Sequence, residues 1–291
     1  MPAQVKSVID DMTSCVREQL VDRILAAAPE EYDQEDLERV QKEDWFLRKF
    51  VLDKVEETCK TSDYWNMGVS ELLDRREAII EDSVRMCDTS LKWRKENGVN
   101  DVSLIRSGIP RELFTKQLLL IDEHEKTLTI RLSLYRAVSE WSDVYERTAR
   151  FMLEQFARTA KQGTLIFDLR NVTYRNIDHS IILYLITTYL NHYPQMFSHF
   201  VLYEIPWIIK PIARVITALL PDRYAHRIAY CNQATLMHLL RKHHATELSQ
   251  FFGGSRVLPI VVPEEAPSVH ALGSRLNKSK SSTEALAKIL K

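Results

Sequence analysis

The residues with the clearest chemical potential follow the apolar run TLIFDL, residues 164–169. Asp168 lies in this run, and Arg170, Asn171 and Arg175 come just after it. Enzymes built on parallel sheets often place a catalytic carboxylate at the C-terminal end of a strand, and guanidinium groups beside it can bind an anion. A hydrogen bond that Asp168 accepts from its own loop explains the pattern more simply, because polar residues commonly follow buried strands. Without a second motif nearby, the pattern favours a structural role.

Other signatures of catalysis or metal binding are missing from the sequence. The segment HLLRKHH holds His238, His243 and His244, but separations of five and six residues do not align two imidazoles on one helical face as a separation of four does. No phosphate-binding loop, dinucleotide motif or nucleophile elbow occurs, and the chain has only 7 glycines. We therefore predict a protein that is not an enzyme, with no catalytic residue, no cofactor and no metal.

Composition excludes further classes of function. The 291 residues are 45% hydrophobic, with 39 basic against 40 acidic side chains, so no basic field exists to hold nucleic acid. The four cysteines form no C-x-x-C pair, and the first residues are partly acidic where a secretory signal needs an apolar run. No run reaches the roughly 18 apolar residues of a spanning helix. We expect a cytoplasmic protein.

Periodicity divides the chain into a helical front and an α/β rear. Signals are helical up to Gly98, with Ile80, Val84, Cys87 and Leu91 on one stripe, and apolar residues alternate from Leu128 to Leu134. Strands and helices then alternate, which predicts parallel pairing. The predicted domains are a helical extension at 1–30, a helical subdomain at 31–109, an α/β domain at 110–254 and a flexible tail at 255–291. The last residues, SSTEALAKILK, show a capping-box pattern from Ser281 to Glu284, but a helix this short should fray alone.

Residues 179–221 are almost uncharged. They contain three ionisable Asp, Glu, Lys or Arg side chains, where the average of 27% would give about twelve. The stretch forms either a thick core or the lining of a cavity for an apolar ligand. The predicted helix 207–220 favours the cavity, because its apolar arc spans two adjoining stripes, wider than core contact needs. Those stripes are Ile208, Ile212, Val215 and Leu219, and Ile209, Ala213, Ile216 and Leu220.

Several weak motifs in a fixed order resemble the CRAL-TRIO lipid-binding family. They are EDWFLRKFVL, SVRMCDTSLKWRKENGVND, TLIFDLRNVTYRNID, HYPQMFSHFVLYEIPW and FFGG, and they cover about residues 32–254. The segments YDQEDLERVQKEDW and YEIPWIIKPIARVITALLP look most similar to the CRAL-TRIO half of motile-sperm-domain proteins of endoplasmic reticulum contact sites. The resemblance implies a helical N-terminal subdomain, followed by an α/β domain with a mixed, mainly parallel sheet.

The resemblance also implies a mobile gate helix, residues 207–220, over a lipid pocket. The residues it assigns to pocket and gate are Phe167, Tyr184, Tyr203, Ile205, Trp207, Ile208, Ile212, Val215, Ile216 and Leu219, and Lys210 and Arg214 would contact a membrane surface. Members that bind phosphatidylinositol have a lysine where Ile216 stands and an acidic residue in the helix before the strand HFVLYEI. This chain has neither, which predicts that an inositol headgroup is not recognised.

Three functions fit these observations to different degrees. The first is non-enzymatic binding, and transfer between membranes, of a hydrophobic lipid, with peripheral attachment to membranes such as the endoplasmic reticulum and a protein partner at organelle contact sites. The second is a membrane-recruited scaffold or regulatory domain that keeps the fold without transferring lipid. The third is a STAS-like module, which LIFDLRNVTYRNIDHSIILYL resembles, although the helical front and the FFGG segment argue against it.

Overall fold

The computed structural model describes residues 1–27, 29–60, 67–243 and 249–291. The chain divides into two units. The first contains Met1–Asn100 and Thr188–Met196, and the second contains Asp101–Thr187 and Phe197–Lys291. The structure thus ends the helical front near residue 100, whereas the sequence suggested a boundary at 109.

The first unit confirms the helical prediction for the front of the chain. Its helices are α1 (Ala3–Ala26), α2 (Gln34–Lys42), α3 (Asp44–Cys59), α4 (Val69–Asp74) and α5 (Arg76–Glu96). The predicted stripe of α5, from Ile80 to Leu91, is buried. It joins apolar side chains of α1 and α3 in one core, so a single face of each helix holds this bundle together.

Polar pairs also lie inside the first unit. The Arg94 guanidinium donates through Nε to Asp36 Oδ2 at 2.8 Å, and neither side chain is exposed. The Trp93 indole stacks on the His192 imidazole with 3.8 Å between ring centroids. Trp93 and Arg94, the WR pair of the sequence, both lie in the last turns of α5.

The second unit contains a five-stranded sheet in the order β1-β2-β3-β4-β5. Its strands are β1 (Leu119–Asp122), β2 (Thr127–Arg131), β3 (Gly163–Asp168), β4 (Phe197–Tyr203) and β5 (Ile228–Cys231). The β1–β2 pair is antiparallel and the other three pairs are parallel. This is the mixed, mainly parallel sheet that the sequence predicted.

Strand order places the connecting helices on one face of this sheet. Short helices α6 (Val102–Ser107) and α7 (Arg111–Thr115) precede β1, and α8 (Ser142–Thr159), α9 (His179–His192) and α10 (Lys210–Thr217) connect the parallel strands in turn. Each connection advances to the neighbouring strand in the same direction, and such crossovers are almost always right-handed. All three crossovers therefore lie on the same side, which we call the crossover face.

The opposite face of the sheet is covered by α11 (Gln233–His243). Leu236 and Leu240 of this helix pack on Ile166 and Val201 of the central strands in one buried cluster. Phe252 joins the cluster as well. One face of the sheet thus packs against α11 in a buried core, and the other face carries the crossover helices.

The prediction of a flexible tail at 255–291 is wrong for its second half. Residues Val269–Arg275 form α12 and Lys280–Ile289 form α13. Ser279 caps α13 by accepting from Ser282 N at 3.2 Å, two residues before the serine that the sequence pattern suggested. The two helices hold each other, because Leu272 and Leu286 are buried and a Cβ on Gly273 would lie 2.6 Å from Thr283 Oγ1. Packing thus offsets the fraying expected of an isolated short helix.

Candidate functional site

Alternation along the strands brings apolar side chains to the crossover face. Phe167 of β3 stands beside Ile130 of β2 and Leu202 of β4 in the parallel register. Phe167 and Leu202 also pack against an apolar cluster that contains Ile209. Three members of that cluster are buried, namely Leu169, Val172 and Ile209, whereas Leu132, Phe167, Ile177, Leu202 and Ile205 are only partly buried. The crossover face therefore carries apolar surface that the protein does not fully cover.

The first half of α9 adds further uncovered apolar surface. Asp178 caps this helix by accepting from Ser180 N at 2.9 Å. Its next apolar side chains are half-buried and Leu183 is 51% exposed, so none of residues 179–187 is fully buried. An uncharged helix without a buried stripe is unusual, because such a helix normally packs on a core all round.

Polar contacts hold α9 in place from outside the apolar cluster. The Tyr135 hydroxyl donates to Asp178 Oδ2 at 2.6 Å, and its burial raises the pKa of Tyr135 so that it stays a neutral donor. Tyr184, a predicted pocket residue, accepts a hydrogen bond from Arg150 Nη1 of α8 at 3.0 Å. Its hydroxyl is thus already partnered by a residue that the sequence analysis did not single out.

The predicted helix 207–220 is shorter than expected. The α-helix covers Lys210–Thr217, with Pro211 in its first turn. At both ends the backbone tightens into turns with bonds between residues three apart, such as Ile209 N to Pro206 O at 3.0 Å and Leu220 N to Thr217 O at 3.2 Å. Proline lacks an N–H and restricts the residue before it, which explains why the regular helix starts late. We call residues 206–220 the flap.

The flap is attached through one of its two apolar stripes. Ile209 is 1% exposed and Ala213 is 5% exposed, and Ile212 and Ile216 are half-buried. The hydroxyl of Tyr174 donates to Ile208 O at 3.1 Å, which ties the start of the flap to the loop after β3. Sequence reasoning found both stripes but could not tell which one faces inward, since both have the same spacing.

The other stripe of the flap is open to solvent except at Ile212, which is half-buried. Trp207, the most exposed of the large apolar side chains here, is 80% exposed, Val215 63% and Leu219 51%. Lys210 and Arg214 stand on the same segment, exposed and without an ion-pair partner among the residues that the structure describes. Four predicted pocket residues, Trp207, Ile208, Val215 and Leu219, therefore lie on the outer surface of the flap.

The structure does not bring Tyr203 to the crossover face. Tyr203 pairs with Asp168 in the sheet, one position beyond Leu202 and Phe167, so its side chain lies on the opposite face. There its ring meets Phe252 edge to face at 5.5 Å, and Arg170 lies 5.1 Å above it. Ile205, just beyond the strand, is in the crossover-face cluster with Phe167.

The described ranges contain no candidate metal site and no candidate membrane-spanning helix. No group of three His, Cys, Asp or Glu side chains in them could hold a metal ion. No helix in the same part of the chain is long and apolar enough to cross a membrane. What the site offers is apolar surface, with two cations at its outer edge.

Comparison with known protein families agrees with this architecture. Residues 123–254 match the family model described as CRAL/TRIO domain. This stretch of the chain is therefore similar to CRAL/TRIO domains. A curated relative, the phosphatidylinositol transfer protein CSR1 of Eremothecium gossypii, is 32% identical over 96 residues, or 33% of this chain. The aligned part is 21% of that relative, so the chain matches about a fifth of its length.

Solved structures give the same fold over a larger range. The crystal structure of Sfh5 superposes with a TM-score of 0.53 at 13% sequence identity, covering 96% of this chain and 99% of the other. At this identity the likeness concerns the fold alone. The closer resemblance to motile-sperm-domain proteins stays a prediction.

Proposed function

We propose that the CRAL/TRIO domain binds a hydrophobic lipid on the crossover face, under the flap, and carries it between membranes without catalysis. The observation that supports this most is the set of half-buried apolar side chains on β3, β4, α9 and the inner side of the flap. Fully burying one such side chain stabilises by roughly 1.5–3 kcal/mol, so a lipid tail that covers several of them would bind favourably.

The outer side of the flap provides the contact with a membrane. Trp207 and Leu219 are exposed, and Lys210 and Arg214 beside them can approach anionic headgroups. Aromatic and aliphatic side chains bordered by cations are typical of surfaces that lie in the membrane interface. Ile209 and Ala213 are the buried attachments of the flap, so a small displacement there would open the crossover face.

The cargo we propose is an apolar lipid rather than a phosphoinositide. The E. gossypii relative is named for phosphatidylinositol transfer, but Ile216 occupies the flap position where the resemblance places a lysine in proteins that bind this lipid. The helix α9 contributes no acidic side chain either. We place the activity in the cytoplasm, with transient attachment to membranes such as the endoplasmic reticulum.

Lipid capture can be tested directly. The purified chain is extracted with organic solvent and analysed by mass spectrometry, and uptake of a fluorescent lipid from phosphatidylcholine vesicles is followed in parallel. Ile212→Asp and Ile216→Asp place carboxylates on the inner side of the flap and should lower uptake at least tenfold. Lys288→Asp, at an exposed position of α13, is the control and should leave uptake unchanged.

Membrane attachment is tested separately by vesicle sedimentation. The double change Trp207→Ala and Leu219→Ala should weaken binding to vesicles and leave thermal stability unchanged, whereas Leu25→Ala, which alters a leucine that is 78% exposed in α1, should change neither. Finding neither copurified lipid nor lipid uptake would refute the proposed transfer function. Vesicle binding that persists under those conditions would instead favour a membrane-recruited scaffold.

A further inference from the structure

A cleft lies at the C-terminal ends of β2 and β3, away from the apolar cluster. Its volume is about 300 Å³, and it is lined by Arg131, Ser133, Asp168, Arg170, Asn171 and Phe251. Arg131 and Asp168 are register partners at the strand ends, and they follow Ile130 and Phe167 by one residue. Their side chains therefore lie on the face of the sheet opposite the crossover face.

The charges of this cleft do not cancel. Arg170 donates through Nε and Nη2 to the two carboxylate oxygens of Asp168, each at 2.9 Å, and this fork occupies the acid. The backbone N–H of Arg170 also donates to Asp168 Oδ1 at 3.1 Å. Among the residues that line the cleft, one carboxylate is thus matched by one guanidinium, and Arg131 adds a second positive charge.

Arg131 is held in the cleft with unused donors. Its Nη1 donates to Lys116 O at 3.3 Å, and its Nε is buried without a hydrogen-bond partner within the described ranges. Burial lowers the pKa of Arg131, although a guanidinium keeps its proton at any physiological pH. Burying part of a cation whose donor is unpaired costs free energy, unless an anion accepts a hydrogen bond from that donor.

An aromatic ring fixes the two guanidinium groups relative to each other. The Phe251 ring lies 4.9 Å from Arg131 Cζ and 4.7 Å from Arg170 Cζ. Cation–π contacts of this kind orient arginine side chains. The Ser133 hydroxyl and the Asn171 amide, which also line the cleft, make no side-chain hydrogen bond within the part of the chain that the structure describes, so both can donate to a ligand.

We propose that this cleft binds a phosphate monoester or inorganic phosphate, with Arg131 as the principal ligand. Arginine matches the oxygens of phosphate through paired N–H donors, and the hydroxyl and amide add further hydrogen bonds. The volume suits a small headgroup or a free phosphate compound. The site lies on the other side of the sheet from the proposed lipid, so the two can be tested independently.

Calorimetric titration of the full chain with inorganic phosphate and with glycerol phosphate tests the site, at constant ionic strength with chloride as the reference. Arg131→Met keeps the apolar length of the side chain and should weaken phosphate binding roughly tenfold or more, since it removes charge-assisted hydrogen bonds. Arg175→Met changes an exposed arginine of the same loop that does not line the cleft, and should alter binding less than twofold.

A second variant keeps the site testable if Arg131→Met does not fold. Asn171 has a positive φ of 60°, so Asn171→Gly removes the amide from the cleft without backbone strain. It should weaken phosphate binding severalfold while circular dichroism stays unchanged. Phosphate should also raise the melting temperature of the unaltered chain more than chloride does.

Vesicles distinguish a lipid headgroup from a free phosphate. Binding to phosphatidic acid vesicles but not to soluble phosphates, lost in Arg131→Met, would assign a headgroup, and binding of the soluble phosphates would assign a free ligand. Absence of binding in both formats, or equal loss in Arg131→Met and Arg175→Met, would overturn the site. Loss of lipid uptake alone would bear on the crossover face and not on this cleft.

Discussion

The indole of Trp93 lies parallel to the imidazole of His192, with 3.8 Å between ring centroids and 7° between the ring planes. Burial, together with the positive charge of Arg94, lowers the pKa of His192 to about 4. Its Nδ1 is buried and has no hydrogen-bond partner in the described part of the chain. In the native state His192 is therefore neutral and stacked on the Trp93 indole.

This arrangement predicts that acid destabilises the first unit. The unfolded chain binds a proton at His192 near pH 6.5, whereas the native state does so only near pH 4, so the free energy of unfolding falls as pH drops between these values. The loss should amount to about 3 kcal/mol. His192→Phe keeps the stack and should flatten this part of the pH profile in urea unfolding, and His270→Phe, at an exposed position of α12, should not. Identical pH profiles of the unfolding free energy for His192→Phe and the unaltered chain would contradict a role of His192 in acid destabilisation.

A buried carboxylate pair predicts the opposite pH dependence in the second unit. Glu125 accepts from Ser249 N at 2.5 Å and lies 3.4 Å from Arg256 Nη2, which also pairs with Asp122. Burial is the main cause that raises the pKa of Glu125 to about 7. Its protonated form is favoured by folding, so the associated stability is present below pH 4.5 and is lost as pH rises through 7.

Glu125→Gln should remove this loss, because the amide keeps an oxygen for Ser249 N and carries no charge. We expect the variant to be more stable than the unaltered chain at pH 8 by roughly 2–3 kcal/mol, and similar to it at pH 5. Chemical unfolding at both pH values measures the difference. Glu123→Gln, an exposed neighbour in the same turn, is the control. A Gln variant that is less stable at pH 8 would show that the Arg256 pair dominates.

Breaking the buried pair in the helical front should cost far more than breaking a surface pair. Asp36→Ala leaves Arg94 buried without its carboxylate, which typically costs about 3–5 kcal/mol. Glu38→Ala, on the same helix, removes an ion pair to Lys42 whose side chains are 53% and 69% exposed, and should cost less than about 0.5 kcal/mol. Equal melting temperatures for the two variants would argue against a structural role for the buried pair.

The C-terminal helices should detach when their shared core is reduced. Leu286 is 1% exposed, so Leu286→Ala should destabilise α13 by about 2–4 kcal/mol. Because the Trp141 indole donates to Ser282 Oγ of this helix at 3.3 Å, the change should also expose Trp141. Hydrogen exchange over residues 280–289 measures the effect, with Lys288→Ala as the control. Unchanged protection in Leu286→Ala would mean that other contacts hold α13.

Local sequence patterns predicted the helices and strands of this fold better than they predicted how these elements face one another. The stripe of α5 and the buried strand β3 follow from spacing and from residue type, and the structure confirms them. The face of Tyr203 depends on the register between β3 and β4, which one sequence does not contain. The inner stripe of the flap depends on which side meets the sheet, and both stripes are equally apolar.

The missed order of the C-terminal residues has a similar cause. A window of ten residues predicts fraying correctly for an isolated helix, but α12, α13 and Trp141 stabilise one another across about 140 residues of sequence. Arg131 escaped notice for the same reason, since it lies far from Arg170 and Phe251 along the chain and meets them only when the strands align.

The strand order of the sheet has a consequence for how the second unit assembles. Every pairing joins two strands that are consecutive in the chain, so each strand can add to an edge that already exists when it leaves the ribosome. Among the strands that the structure describes, none has to be inserted between two others. Pairing between chain neighbours keeps the loops to be closed shorter than another order of these strands would, which favours the sequential addition of strands. The last strand to arrive, β5, has four residues, so the edge that remains open to other chains is short.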